Sequence, residues 1–299
     1  MRFVVVGAGS IGLLIGSYLA QNQADVTFWV RREEQARQLR SRLIRQDDTD
    51  SEHNFHVQAV VNPEELPTDA LWIIAVKYDA LHNVLQTIST LPKQPDLLFI
   101  QNGIGHLSLI DQYTLGHVSF ATVEHGAQRV DEHTVRHNGI GPIIIATNEK
   151  IAPTIEWLQA IESENFPIQT QDDAEKLLLR KVLINCAINP LTAILQVRNG
   201  QLLDNSPIHL LFRQLCEELL SNFPEVEDVL VYDDIARVCR KTSFNQSSML
   251  VDRLKGNTME IETIITAVLR KVKQKGGHAP ILHMLENMLL GINGRGHNE

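Results

Sequence analysis

The sequence predicts an α/β protein in which a doubly wound sheet domain, residues 1–168, precedes an all-helical domain, residues 169–299. Three observations carry this. The chain opens with a short apolar strand that runs into a glycine-rich turn, short apolar runs then alternate with helical segments to about residue 148, and strand signals stop after Pro153.

Phe3–Val6 reads as a buried strand, and Ile11, Leu14, Ile15, Tyr18 and Leu19 recur behind it at helical spacing. Between them lies Gly7-Ala8-Gly9-Ser10-Ile11-Gly12, the spacing of a Rossmann-type dinucleotide site. Gly7 permits the tight turn, Gly9 removes a side chain from the path of a pyrophosphate, and Gly12 lets the helix approach the strand. The competing reading is a glycine turn in a doubly wound fold that binds something else. The second strand, within Asp25–Arg32, carries its acid at the wrong end for an NAD ribose and has Arg31 at its carboxyl end. The forked donors of Arg31 suit a 2′-phosphate, which favours NADP(H) over NAD(H), whereas Arg32 is expected to begin an exposed helix over Arg32–Leu43.

Asp47–Asn54 is acidic and aperiodic and reads as a loop. Leu71–Val76, Leu97–Ile100, Val118–Val123, Thr134–His137 and Pro142–Ala146 read as the remaining strands of the sheet. Helices are expected over Thr154–Ser163 and Asp172–Ile194, and the polar end of the chain is expected to fray.

A formal charge of −9 and a pI near 5.7, without a basic patch, argue against nucleic acid as a partner. No apolar run is expected to reach the roughly 18 residues of a membrane span, and the first residues form a strand rather than a leader; both point to a cytoplasmic protein. Cys186, Cys216 and Cys239 lie in apolar helical sequence and read as reduced core residues. His53/His56 and His133/His137 fall in polar loop or strand-edge sequence without a third ligand, so no metal is expected.

Ligands of open α/β sheets bind beyond the carboxyl ends of the strands, where Lys77 and Asn102-Gly103-Ile104-Gly105 join the glycine turn and Arg31. By default these would be a solvated charge and a tight turn. In the helical domain Lys181, Asn185 and Asn189 are spaced by four, within an arc of about 80° on an otherwise apolar helix. Such a stripe is expected to face a cleft holding a polar ligand, because an uncompensated buried lysine is costly; the alternative is an exposed stripe on a surface helix. Pro190 is expected to kink or end this helix. Asn245-Gln246-Ser247-Ser248 precedes an apolar run and reads as a helix start, with Glu260 further on.

These residues resemble the ketopantoate reductases, NADPH-dependent enzymes of pantothenate and coenzyme A synthesis. The likeness spans nearly the whole chain: Val-Gly-Ala-Gly-Ser-Ile-Gly, Lys77, Gln-Asn102-Gly-Ile-Gly, Glu-His-Gly-Ala127, Lys181-x-x-x-Asn185-x-x-x-Asn189-Pro-Leu-Thr-Ala, Arg-Asn199-Gly-Gln-Leu and Asn245-x-x-Ser248-Met-Leu. The resemblance implies Lys181 as general acid. It also implies Asn102, Lys181, Asn185, Asn189, Asn199, Asn245 and Ser248 as contacts of a 2-oxo acid, and the glycine turn, Arg31, Lys77, Asn102, Ala127 and Glu260 as contacts of NADPH/NADP+. The implied reaction is reduction of 2-dehydropantoate to (R)-pantoate. The chain departs from the family after Glu260, where Ile-Asp-x-Ile-Asn-Gly is usual and Ile261-Glu262-Thr263-Ile264-Ile265-Thr266 stands instead. A reductase of another branched 2-oxo acid and a non-catalytic NADP(H) sensor are the alternatives, and the apolar helical domain is compatible with a homodimer.

Overall fold

The computed structural model describes residues 1–47, 51–146 and 153–295. They divide into two compact units, Met1–Gln101 with Ser108–Ala174, and Asn102–Leu107 with Glu175 onward.

In the first unit, β1 (Arg2–Val6), α1 (Ser10–Gln21), β2 (Asp25–Trp29) and α2 (Glu33–Ser41) begin the parallel sheet. Then come β3 (Leu43–Gln46), β4 (Glu52–Phe55), β5 (Gln58–Val60), β6 (Leu71–Ile74), α3 (Tyr78–Ser89) and β7 (Asp96–Phe99). The short α4 (Leu107–Ile110) is followed by β8 (Val118–Val123), β9 (Gly126–Arg129), β10 (Thr134–Gly139), β11 (Ile143–Ala146), α5 (Pro153–Gln159) and β12 (Ile168–Gln171).

Eight strands form the main sheet in the order β12-β11-β8-β7-β6-β1-β2-β5, with only the β11–β8 pair antiparallel. The apolar β1 fits its central place. Phe3 and Val5 pack on one face with α1 and α2, and Val4 and Val6 pack on the other with α3, so period-2 alternation buries all four.

The order differs from the sequence expectation in instructive places. Thr134–His137 belongs to a second sheet, β4-β3-β10-β9, and not to the doubly wound one. Part of the expected 47–54 loop is β4, paired antiparallel with β3, while residues 48–50 lie outside the described residues. The helix expected over Arg32–Leu43 ends at Ser41, because Leu43 is buried in β3. Strand structure also continues past Pro153: β12 pairs parallel with β11, so the first unit extends to Ala174 and not to 168.

His137 was expected at a polar strand edge, but it is buried. Its Nδ1 meets the Tyr18 hydroxyl at 2.9 Å and its Nε2 meets His125 Nδ1 at 3.0 Å. The Arg45 guanidinium lies 3.9 Å from the Tyr18 ring centroid and its Nε donates to Asp47 Oδ1 at 3.1 Å. His53 Nε2 sits 2.8 Å from Asp47, and His133 Nδ1 lies 3.1 Å from Gln38. Among the described residues, no three His, Cys, Asp or Glu side chains converge as a metal site.

The second unit consists of α6 (Ala174–Leu195), α7 (Gln201–Asp204), α8 (Ser206–Asn222), α9 (Tyr232–Lys241), α10 (Ser248–Leu254), α11 (Ala267–Gln274) and α12 (Pro280–Arg295). A single π-turn, Glu262–Thr266, leads into α11. α6 corrects the expectation about apolar length: its 22 residues, with a mean hydropathy of 1.4 in the best window, are long and apolar enough to cross a membrane. That window is 78% buried inside the protein, as in the core helix of a folded domain. Pro190 does not end α6, which runs on to Leu195. The three cysteines are buried and unpaired, and the last four residues of the expected frayed tail lie outside the described residues.

Burial, and next the neighbouring His137, push the His125 imidazole down to about 4. An unfolded chain binds that proton near the ordinary value of 6.5, so acidification below 6.5 favours unfolding until the folded site protonates near 4. The unfolding free energy is expected to fall between these limits. Replacing His125 with Phe should flatten the pH slope there by up to about 1.4 kcal/mol per pH unit, measured by urea unfolding; an unchanged slope contradicts the assignment.

Candidate active site

The glycine turn follows β1, with β2 on one side of that strand and β6 on the other. This is the switch point of the sheet, where an open α/β fold leaves a crevice. Gly7 has φ +99°, and a Cβ there would lie 2.8 Å from Val76 Cγ1. A Cβ on Gly12 would overlap the Gly7 carbonyl oxygen, whereas one on Gly9 would meet nothing within 4 Å. The turn is closed by sterics at Gly7 and Gly12 and open above Gly9, as a phosphate cradle requires.

α1 starts at Ser10 behind Gly9 with no side-chain cap and no acid in its first turn. Its first N–H groups and the positive end of its dipole therefore remain available to an anion. Ala8 is buried, and its carbonyl accepts a 3.2 Å bond from the buried Gln35 amide of α2, which anchors the turn from behind. Sequence reasoning missed Gln35; the only available signal was a polar residue beside Ala36 on the apolar face of α2.

β2 ends at Trp29, so Arg31 lies two residues beyond the strand and not at its last position. It is exposed and engages no hydrogen bond or ion pair with another described residue. Arg32 is likewise exposed, precedes α2, and pairs with Glu132 at 2.5 Å. Lys77 lies three residues past β6 as the exposed N-cap residue of α3. Ala127 sits in β9 opposite His137.

The second unit carries the other residues. On α6 every residue from Val182 to Ala193 is buried except Asn185, and Lys181 is also intermediate in exposure. The stripe is thus neither a solvated surface nor sealed: Asn189 lies within the wall at 5% exposure, and Lys181 and Asn185 form its opening. All three cysteine thiols are held above their ordinary range by burial, which keeps Cys186, beside Asn185, a neutral donor.

Two links fasten neighbours to this helix. Thr192 Oγ1 lies 2.7 Å from Ser247 Oγ, and Ser247 Oγ accepts from Leu250 N at 3.1 Å as the N-cap of α10. Ser247 is therefore the cap and leaves Ser248, the first residue of α10, exposed beside the exposed Asn245. The Arg253 guanidinium covers the carbonyls of Ala193 and Ile194 at the end of α6. Asn199 is buried; its main-chain N–H donates to the Asn245 carbonyl at 3.1 Å and its Nδ2 to Thr242 Oγ1 at 2.9 Å. It stands behind Asn245 as its support.

At the other link, Cys186 Sγ donates to the Ile264 carbonyl at 3.4 Å. Asn102 is exposed, and its Nδ2 lies 3.4 Å from Glu260 Oε2 as a long hydrogen bond. Glu260 precedes the helix and is partly buried, which differs from an ordinary exposed helix acid.

A turn that can hold a dinucleotide, and a separate lysine–asparagine opening in an apolar helix, define a dinucleotide-dependent oxidoreductase with a Rossmann-type first unit. Residues 3–150 match the family profile described as ketopantoate reductase PanE/ApbA, and residues 173–293 match its C-terminal counterpart. The chain belongs to the ketopantoate reductase family. Among its relatives, the 2-dehydropantoate 2-reductase of Listeria monocytogenes is 34% identical over 98% of this chain and 97% of its own. That of Bacillus subtilis is 33% identical over 95% of each. A crystal structure of the probable 2-dehydropantoate 2-reductase of Bacillus subtilis superposes with a TM-score of 0.86, at 29% identity over 98% of this chain and 100% of that one. A D-mandelate dehydrogenase solved with NADH and anilino(oxo)acetate shares the fold at 21% identity and a TM-score of 0.86, covering 99% of both chains. The cofactor class is a nicotinamide dinucleotide.

The contrast between Gly9 and Gly12 is testable. Gly9→Ala should leave the melting temperature unchanged and weaken nicotinamide dinucleotide binding roughly tenfold or more, since its methyl fills only the cradle. Gly12→Ala should lower both, because it displaces the Gly7 carbonyl; equal melting temperatures for the two variants contradict this geometry.

Proposed function

We propose that the chain reduces 2-dehydropantoate to (R)-pantoate with NADPH, in the cytoplasm, as a step toward pantothenate. The observation that carries the catalytic part is the α6 stripe, where Asn185 is the one partly exposed residue between Val182 and Ala193 and Lys181 stands partly exposed one turn before it. Bound NADPH supplies the hydride that converts the C2 carbonyl to an alcohol.

Lys181 donates the proton that neutralises the developing alkoxide, and Asn185 and Asn189 orient the oxo acid beside it. Asn102, Asn245 and Ser248 hold the substrate's polar groups, with Asn199 behind Asn245. On the cofactor side, the N–H groups at the start of α1 hold the pyrophosphate, and Arg31 holds the 2′-phosphate. Lys77, Ala127, Asn102 and Glu260 complete the cofactor contacts. The exposed guanidinium of Arg31, without an ion pair among the described residues, supports NADPH over NADH. The unpaired cysteines support a reducing compartment. Exposed Met284 and Met288 on α12 support a homodimer, which sedimentation would read as twice the mass of the 33.7 kDa chain.

A second reading, reduction of another branched 2-oxo acid, is favoured by the departure at Ile265 and Thr266. NADPH oxidation by purified protein with 2-dehydropantoate and with related oxo acids separates the two. A kcat/KM for 2-dehydropantoate below that of a relative overturns the first.

Lys181→Ala should lower kcat by roughly 10²–10⁴ and leave the NADPH dissociation constant within about twofold, because proton donation acts in the transition state. A near-normal kcat removes Lys181 from the role. Arg31→Ala should raise the KM for NADPH by roughly 10–100-fold and leave that for NADH nearly unchanged; equal effects defeat the 2′-phosphate assignment.

A further inference from the structure

The π-turn Glu262–Thr266 lies where the sequence leaves the family pattern, and its hydrogen bonds go to the site. In an α-helix the Ala267 N–H would bond the carbonyl four residues back, that of Thr263. Here it bonds Glu262, five residues back. The Thr263 carbonyl, so released, accepts the N–H groups of Ile104 at 3.0 Å and Gly105 at 3.2 Å. The next carbonyl, Ile264, accepts the Cys186 thiol of α6 at 3.4 Å.

The turn bearing Asn102 is shaped to this acceptor. Gly103 has φ +79°, and a Cβ there would overlap the Thr263 carbonyl oxygen. A Cβ on Gly105 would stand 2.9 Å from Thr263 Cα. The two glycines let the loop lie directly on the Thr263 backbone, which leaves the Asn102 amide 3.4 Å from Glu260 Oε2. π-Turns recur at functional sites because an extra residue turns main-chain groups outward.

We propose that this π-turn is a positioning element: the carbonyl of Thr263 holds Asn102 against Glu260, and the carbonyl of Ile264 holds α6 in register beside Asn185. It acts through backbone groups, so no side-chain motif announces it. The inference rests on the reading of Asn102, Glu260 and the α6 stripe as site residues.

The test is a double-mutant cycle in the full chain, read as the NADPH dissociation constant by fluorescence. Glu262 is exposed and its ion pair with Arg270, at 3.7 Å, is on the surface, so deleting it converts the turn toward an α-helix and removes no buried side chain. Asn102→Ala is expected to weaken NADPH binding by roughly tenfold in the unaltered chain and by less than about twofold in the deleted one, where the amide is no longer held in place. Amide exchange at Ile104 and Gly105 is expected to be slow in the first and fast in the second. Equal Asn102→Ala effects in both backgrounds, no effect in either, or protection that survives the deletion overturns the proposal. Should the deleted chain fail to fold, Gly103→Ala takes its place in the cycle, since it pushes the loop from the same oxygen. Neither readout uses the oxo acid, so failure to turn over 2-dehydropantoate sinks the substrate assignment alone.

Discussion

A helix as apolar as α6 can leave no wide face in water, and the second unit follows from that requirement. Burying each Leu, Ile or Val on it contributes about 1.5–3 kcal/mol, so the sequence from Val182 to Ala193 must be enclosed on all sides. Enclosure brings with it the problem of polar groups, because an uncompensated amide or ammonium in that wall costs several kcal/mol. The helix answers it in two ways. Thr192 is fully buried and is satisfied by the carbonyls of Ile188 and Asn189 and by Ser247, while Lys181 and Asn185 stay partly open. The partly open pair has what the proposed proton donation needs, a group that is confined and still reachable.

Both units withhold main-chain groups from secondary structure at the positions the proposed reaction uses. At the start of α1 the withheld groups are N–H donors, left without a side-chain cap, and their natural partner is an anion. At the π-turn the withheld group is the carbonyl of Thr263, whose partners are the N–H groups of a neighbouring turn. The first arrangement leaves its donors to a ligand in the proposed reading. The second serves the loop whose asparagine meets Glu260. In each case glycine is needed because another backbone approaches at its position: Gly12 under the Gly7 carbonyl, Gly103 over that of Thr263.

What could be read in the sequence was whatever local chemistry decides. β1 and α1 were legible because a continuous apolar run, a glycine spacing and a 3.6-residue period each point to one structure. The α6 stripe was legible for the same reason. β4 and β5 were not: Glu-His-Asn-Phe and Gln-Ala-Val have little strand character of their own and are strands because β3 and β2 pair with them. β12 escaped because its Gln169 and Thr170 are exposed, and only its pairing with β11 defines it. Within the site, side chains with a recognisable chemistry stood out, whereas Ser247, Gln35 and the Thr263 carbonyl act through bonds to distant backbone or neighbouring elements.

The departure from the family pattern is resolved by where its residues lie. Ile265, in place of the usual Asn, is fully buried, and Thr266, in place of the usual Gly, gives its hydroxyl to the buried carboxylate of Glu286 on α12. Both changes therefore act on the side of the π-turn that packs into the unit. On the other side of the same turn, the Thr263 and Ile264 carbonyls accept the N–H groups of Ile104 and Gly105 and the thiol of Cys186. A buried aliphatic side chain and a satisfied hydroxyl–carboxylate pair stiffen the turn from behind, because each would lose its burial or its partner if the segment rewound to an α-helix. The substitutions act on how the turn is anchored, and it is through that anchoring that they would reach the oxo acid.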